Sequence, residues 1–190
     1  MFEVLIDDAS IAIRQLEEDR QSQYLRRVTF RAVFAFLEGS SHIFRHEARS
    51  ELRSDAARHN LSEKEQSAIW ERKQKDGATI PIHIPLEESL KIPFRVLAKV
   101  WSLDVELNTD GQEYEAFLAA KNARDRLTHP RTYYDTQVTD EDMSNLAQTY
   151  LWYKRAFENL WRERVKRQIE LLPTEEDKEI FRKEFLGKDV

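Results

Sequence analysis

From Met143 onward the large apolar residues return every three or four positions, at Met143, Leu146, Tyr150, Tyr153, Phe157, Leu160 and Trp161. Only an α-helix brings such positions onto one face. Thr139 with Asp142 has the form of a capping arrangement just ahead of the stripe. Pro173 and Thr174 supply the stop, so one long amphipathic helix is expected to reach about Leu172. A short helix from Glu175 to Leu186 then closes the chain. With only four glycines and five prolines in 190 residues, there are too few turn formers for an all-β fold. The sequence therefore predicts an all-α protein of long helices and few connections, of a length that suits one domain with a sizeable core.

The remaining elements follow from caps, breakers and apolar spacing. A first helix is expected from Asp7 or Asp8, where acids favour the positive end of the helix dipole, to a stop at Gly39. Ile13, Leu16, Tyr24, Val28, Ala32 and Ala35 form its inward stripe, and the run Phe30, Val33, Phe34, Phe36, Leu37 makes its end apolar on more than one face. A second helix, capped by Ser40 or Ser41, should run toward Asn60. Ser62 with Glu65 has the form of a capping box for a third, ending by Lys75-Asp76-Gly77. Residues 78–85 read as an extended connector punctuated by Pro81 and Pro85. Leu86 to about Leu107 should be helical, burying Leu90, Phe94, Leu97, Ala98, Trp101 and Val105, with Pro93 a source of a kink or a late start. Asn108 to Gly111 is a turn, and a helix from about Gln112 ends near His129.

Composition narrows the classes of function. There is no cysteine, which excludes disulfides, thiolate metal sites and cysteine nucleophiles. The start, Met1 to Asp8, is too short and acidic for a signal peptide, and no apolar run is long enough to span a bilayer. A cytoplasmic location without membrane attachment is the expectation. A net charge of −5 argues against a surface that grips nucleic acid everywhere, but leaves room for a local basic cleft. His42 and His46 share a helix face at metal-pair spacing, yet no third ligand is placed by sequence, so neither metal nor cofactor is assigned.

Chemistry is concentrated at Lys121-Asn122-Ala123-Arg124-Asp125-Arg126-Leu127-Thr128-His129-Pro130. Asp125 and His129 are four apart and share a helix face. Pro130 pushes His129 out of the helical region, freeing the imidazole to swing back toward Arg124 as well as Asp125. An acid beside a histidine suits general acid–base work, and arginine suits phosphate oxygens. Lys121, Arg124, Arg126 and Arg131 against the single acid Asp125 make a basic spot on an acidic chain, and Tyr133 and Tyr134 follow as candidates for stacking on bases. A second basic cluster is formed by Arg162, Arg164, Lys166 and Arg167. A histidine near a helix C-terminus also interacts well with the dipole, and proline is a common stop. By physics alone, the stretch fits a structural helix end as well as it fits a site.

The pattern Arg124-Asp125-Arg126-Leu127-Thr128-His129, an arginine, a polar residue, three residues and a histidine, resembles the motif of the HEPN superfamily (higher eukaryotes and prokaryotes nucleotide-binding domain). That resemblance implies an up-and-down helical bundle, here one domain over 1–190. Its core would lie over about 7–38 and 86–172, with a helical insertion over about 40–76 and a closing helix over 174–186. It further implies a homodimer that joins two copies of the motif into a metal-independent endoribonuclease, in a toxin–antitoxin or phage-defence setting. His129 would act on the ribose 2′-hydroxyl or the leaving group, Arg124 on the phosphate, and Asp125 would orient the site. Lys121, Arg126, Arg131, Tyr133 and Tyr134 would contact RNA. One branch of the family, paired with a nucleotidyltransferase antitoxin, has a tyrosine two positions after the histidine; Arg131 occupies that place here. The alternative is a non-catalytic helical module that binds a nucleotide, RNA or a protein partner such as an antitoxin.

Overall fold

A computed structural model describes residues 2–55, 61–70, 72–73, 79–80 and 84–187. Among them the chain is an all-helical bundle: α1 (Phe2–Glu18), α2 (Gln23–Asp55), α3 (Glu63–Ile69), α4 (Leu86–Val100), α5 (Gln112–Thr128), α6 (Asp140–Glu170) and α7 (Glu175–Phe185). The only strands in this set are β1 (Arg72–Lys73) and β2 (Thr79–Ile80), an antiparallel pair with Arg72 opposite Ile80. β2 is the part of the expected connector that is described, with Ile84 and Pro85; Ala78 and 81–83 lie outside the described residues, as do Asn60 and Lys75 to Gly77. No helix of the described residues is long and apolar enough to cross a membrane.

The first two helices differ from expectation. The predicted single helix breaks at 19–22, where the Asp19 carboxylate accepts from the Gln21 N–H and the Ser22 hydroxyl accepts from the Leu25 N–H. These short polar side chains offer the backbone an alternative to the helix. The break resets the helical phase. Tyr24 and Ala35 are therefore exposed, while Arg26, Thr29, Phe30, Val33, Phe36 and Leu37 face inward. Gly39 does not stop a helix, and Ser40 and Ser41 do not cap one; α2 runs through all three. A Cβ on Gly39 would come within 2.3 Å of the Leu5 Cδ1, which is why α1 can pack closely across α2 here. At 1.5 Å per residue, α2 is about 50 Å long.

That length lets α2 join two apolar clusters. One contains Phe30, Val33, Phe36, Phe117, Leu146 and Tyr153; the other contains Phe44, Leu52, Phe94, Leu97, Trp101 and Leu160. α6 crosses both as well. It is the helix the stripe predicted, capped by Thr139 with the full Thr139–Asp142 box. The Ser62–Glu65 box at the start of α3 is likewise formed.

α4 ends at Val100, earlier than the expected Leu107. Ser102 takes a left-handed φ of 55°, and the Leu103 N–H reaches back to the Ala98 carbonyl, closing the helix without glycine. Beyond it Leu103, Val105 and Leu107 are half-buried and alternate with exposed residues, the period of an extended chain. Inside α4, Pro93 cannot donate to the Ser89 carbonyl four residues earlier. The Ser41 hydroxyl of α2 donates to that carbonyl instead, and lies 2.8 Å from the Ser89 hydroxyl. Ser41→Ala should leave the carbonyl short of a donor and cost about 1–2 kcal/mol in urea unfolding. In a Pro93→Ala background, where an N–H returns to α4, the cost of Ser41→Ala should shrink.

The box at Ser62 carries a pH signature. Burial alone pushes the Glu65 carboxyl up, but hydrogen bonds from Lys99 and Ser62 outweigh it and hold the carboxyl below its ordinary 4.5. A carboxylate depressed in the folded state stabilises at pH above the ordinary value, and that stabilisation is lost as pH falls through the lowered one. Unfolding free energy should therefore drop on acidification below about pH 4.5, and by less in Glu65→Gln.

Candidate functional site

α5 positions the motif by burying small residues. Ala116, Phe117, Ala120 and Ala123 are its buried face, and the alanines let the helix lie close to its neighbours. Thr128 is the last helical residue. The His129 N–H still donates to the Asp125 carbonyl at 3.0 Å, but its backbone has left the helix at φ −126° and ψ 58°. This is the exit that a following proline enforces. His129 is exposed, and its ring forms no hydrogen bond or ion pair among the described residues.

Arg124 and Asp125 are engaged elsewhere. Arg124 donates to Glu38 of α2 at 2.6 Å and to Asp125 at 3.0 Å. Lys121 lies 3.7 Å from Asp125 and 3.1 Å from Glu87 at the start of α4. A chain of alternating charge, Glu38–Arg124–Asp125–Lys121–Glu87, therefore ties α2, α5 and α4 together. In the single chain, permanent cations take the Asp125 carboxylate, and the imidazole does not swing back to it.

The other predicted contacts divide into two sets. Arg126 is committed to structure, donating to the Gln137 carbonyl at 3.0 Å and to Asp142 at 2.8 Å, which moors the loop and the start of α6 to α5. Arg131, Tyr133 and Tyr134 remain exposed, with the two tyrosine rings edge to face at 6.0 Å. Their loop is shaped by Asp135, whose carboxylate accepts from the Arg131 and Thr132 N–H groups; these bonds hold it below the ordinary carboxylate range. The second basic cluster is partly structural: Arg164 pairs with Glu51 and lies 4.9 Å over the Trp101 ring, and Lys166 pairs with Glu163.

Two depressions share Arg124 and Glu38. The first, about 390 Å³, runs between α2 and α5 and is lined by Arg27, Arg31, Ala35 and Thr128 as well. The second, about 610 Å³, opens toward the start of α4 and adds Ser41, Arg45, Ser89 and Lys121. Arg27, Arg31, Glu38 and Arg45 were not predicted as site residues. Their signal was the polar face of α2, at spacings of four and seven, which is visible only once the phase after the break is known. A cavity of about 660 Å³ between α1, α2 and α6 is more apolar and contains no motif residue. His42 and His46 are both exposed, and no three His, Asp or Glu side chains are grouped to hold a metal among the described residues. Comparison with protein-family models, curated proteins and solved structures finds no match to this chain.

The arrangement offers a phosphate two things: cations along two grooves, and an arginine whose present partners are carboxylates a phosphate can replace. The Glu38–Arg124 pair is about a third to a half exposed, so it adds little to stability. Glu38→Ala should change the unfolding free energy by less than about 1 kcal/mol.

Proposed function

We propose that the chain is a HEPN-like, metal-independent endoribonuclease whose active site is completed across a homodimer. The observation that carries this reading is His129, exposed and without a side-chain partner among the described residues, at the end of the helix whose previous turn holds Arg124 in an arginine-lined groove. RNA brings its own nucleophile, the ribose 2′-hydroxyl, so the protein has only to move protons and stabilise charge. One imidazole takes the 2′-hydroxyl proton as the oxygen attacks phosphorus. The 5′-oxygen leaves with a proton from a second acid, and the products are a 2′,3′-cyclic phosphate and a 5′-hydroxyl. Each chain offers one such histidine, and a second copy supplies the other. Arg124 exchanges Glu38 for the phosphate oxygens in the transition state. Arg27, Arg31 and Arg131 follow the backbone, and Tyr133 and Tyr134 provide faces for stacking. A cytoplasmic toxin or phage-defence effector fits such an activity, with an antitoxin as protein partner in the first case.

A second reading, a non-catalytic module that binds a nucleotide, RNA or a protein partner, is favoured by one observation. Arg124 is held by two carboxylates in the single chain, which is also how a purely structural arginine behaves.

The purified protein should cleave single-stranded RNA in the presence of chelator and leave cyclic phosphate ends. His129→Ala should lower the rate by roughly 100-fold or more while dimer mass and melting temperature stay unchanged. Equal cleavage by wild type and variant would sink the nuclease reading, and RNA binding without cleavage would favour the second.

A further inference from the structure

The larger of the two shared depressions holds an arginine with too few acceptors. Arg45 of α2 donates through Nη2 to the Ser89 hydroxyl at 2.7 Å, and its Nε is buried with no acceptor among the described residues. It forms no ion pair among the described residues. Burial, and then the neighbouring Arg49, both disfavour its charge and push its pKa down. A guanidinium in this condition gains from an anion that supplies two oxygens.

The acids nearby do not serve it. Glu38 is bonded to Arg124, Asp125 to Arg124 and Lys121, Glu87 to Lys121, and Glu88 to Lys64. Lys121 and Arg124 line the same cleft as Arg45, so three cations border about 610 Å³ of open space. The start of α4 also lines it through Pro85 and Leu86, and has no side-chain cap. Arg27 and Arg45 are eighteen residues apart on one helix, about 27 Å, with Arg124 contacting α2 between them at Glu38. A single strand crossing Arg124 and lying along α2 would pass from one depression into the other.

We propose that this cleft is a phosphate-binding subsite for the RNA strand, with Arg45 as its principal donor and Lys121 beside it. The subsite rests on the nuclease reading for its ligand, yet its own residues play no part in proton transfer. It extends the bound strand to the α4 side of Arg124, beyond the stretch the motif itself contacts.

The test uses full-length protein carrying His129→Ala, to prevent turnover, and a fluorescent oligouridylate titrated over a salt series. Adding Arg45→Gln should weaken binding about ten-fold and reduce the slope of log affinity against log salt by about 0.7, as one lost phosphate contact does. Arg45→Lys should restore most of the slope. Lys121→Gln, on a half-buried side chain, should also lower the slope and decides the matter if Arg45→Gln does not fold. Unchanged affinity and slope in the folded variants would overturn the subsite, and so would failure of the parent to bind the oligonucleotide. If binding depends on Arg45 while the wild type cleaves no RNA, the nuclease reading falls and the subsite stands. If the wild type cleaves and Arg45→Gln alters neither affinity nor slope, the subsite alone falls.

Discussion

The fold hangs on an aromatic seam between α2 and α6. Phe36 meets Tyr150 at 5.7 Å and Tyr153 at 5.8 Å, both edge to face, and Phe157 at 6.4 Å; one turn or two further along, Phe44 stacks on Phe157 at 5.2 Å. Such pairs add about 0.5–1.5 kcal/mol each beyond their buried area. Because both helices cross both apolar clusters, the seam is what makes two cores into one body. α1 and α5 pack at one end and α3 at the other, while α4 contributes Leu90 to the first cluster and Phe94 and Leu97 to the second. The packing is close enough to bury the Tyr153 hydroxyl without a partner among the described residues, and burial raises its pKa. A cost of that kind is tolerated only where the surrounding contacts outweigh it.

The seam also explains where the cations stand. α2 turns its aromatic side to α6, so its polar residues 27, 31, 38 and 45 must face outward toward α5 and α4. α5 then brings Arg124 to Glu38 because alanines, not larger residues, separate it from the core. The same geometry converts a helix defect into part of the cleft wall. Pro93 frees the Ser89 carbonyl, Ser41 satisfies it, and the Ser89 hydroxyl is left to hold Arg45. Pro93, Ser41, Ser89 and Arg45 thus link α4, α2 and the cleft wall.

Charge at the site is balanced in the single chain, and this shapes how it can work. Glu38, Asp125 and Glu87 hold Arg124 and Lys121 in place before any ligand arrives. On the proposed reading, holding cations in advance would lower the entropy lost on binding a phosphate, which would have to displace these carboxylates. His129 is outside this network. On the proposed nuclease reading, a group that moves protons would gain from being free of fixed charges until a substrate surrounds it.

Much of the fold and the backbone at one end of the candidate site were legible in the sequence because the signals are local. Capping boxes at Ser62 and Thr139 span four residues, the stripe of α6 repeats within a turn, and Pro130 acts on the residue before it. Those devices work wherever the chain goes, so α3, α6 and the release of His129 were readable directly. Three other features belong to tertiary structure. Gly39 carries a stop signal, yet α2 continues through it, and the glycine leaves the space that Leu5 of α1 occupies. The phase of α2 could not be read across the break at 19–22, so the arginines facing the grooves were missed. Glu38 and Arg124 lie 86 positions apart and meet only when α2 and α5 are packed. Backbone propensity and capping reach one turn along a chain. Which charge meets which, and which arginine is left short of acceptors among the described residues, is decided by packing between helices distant in sequence.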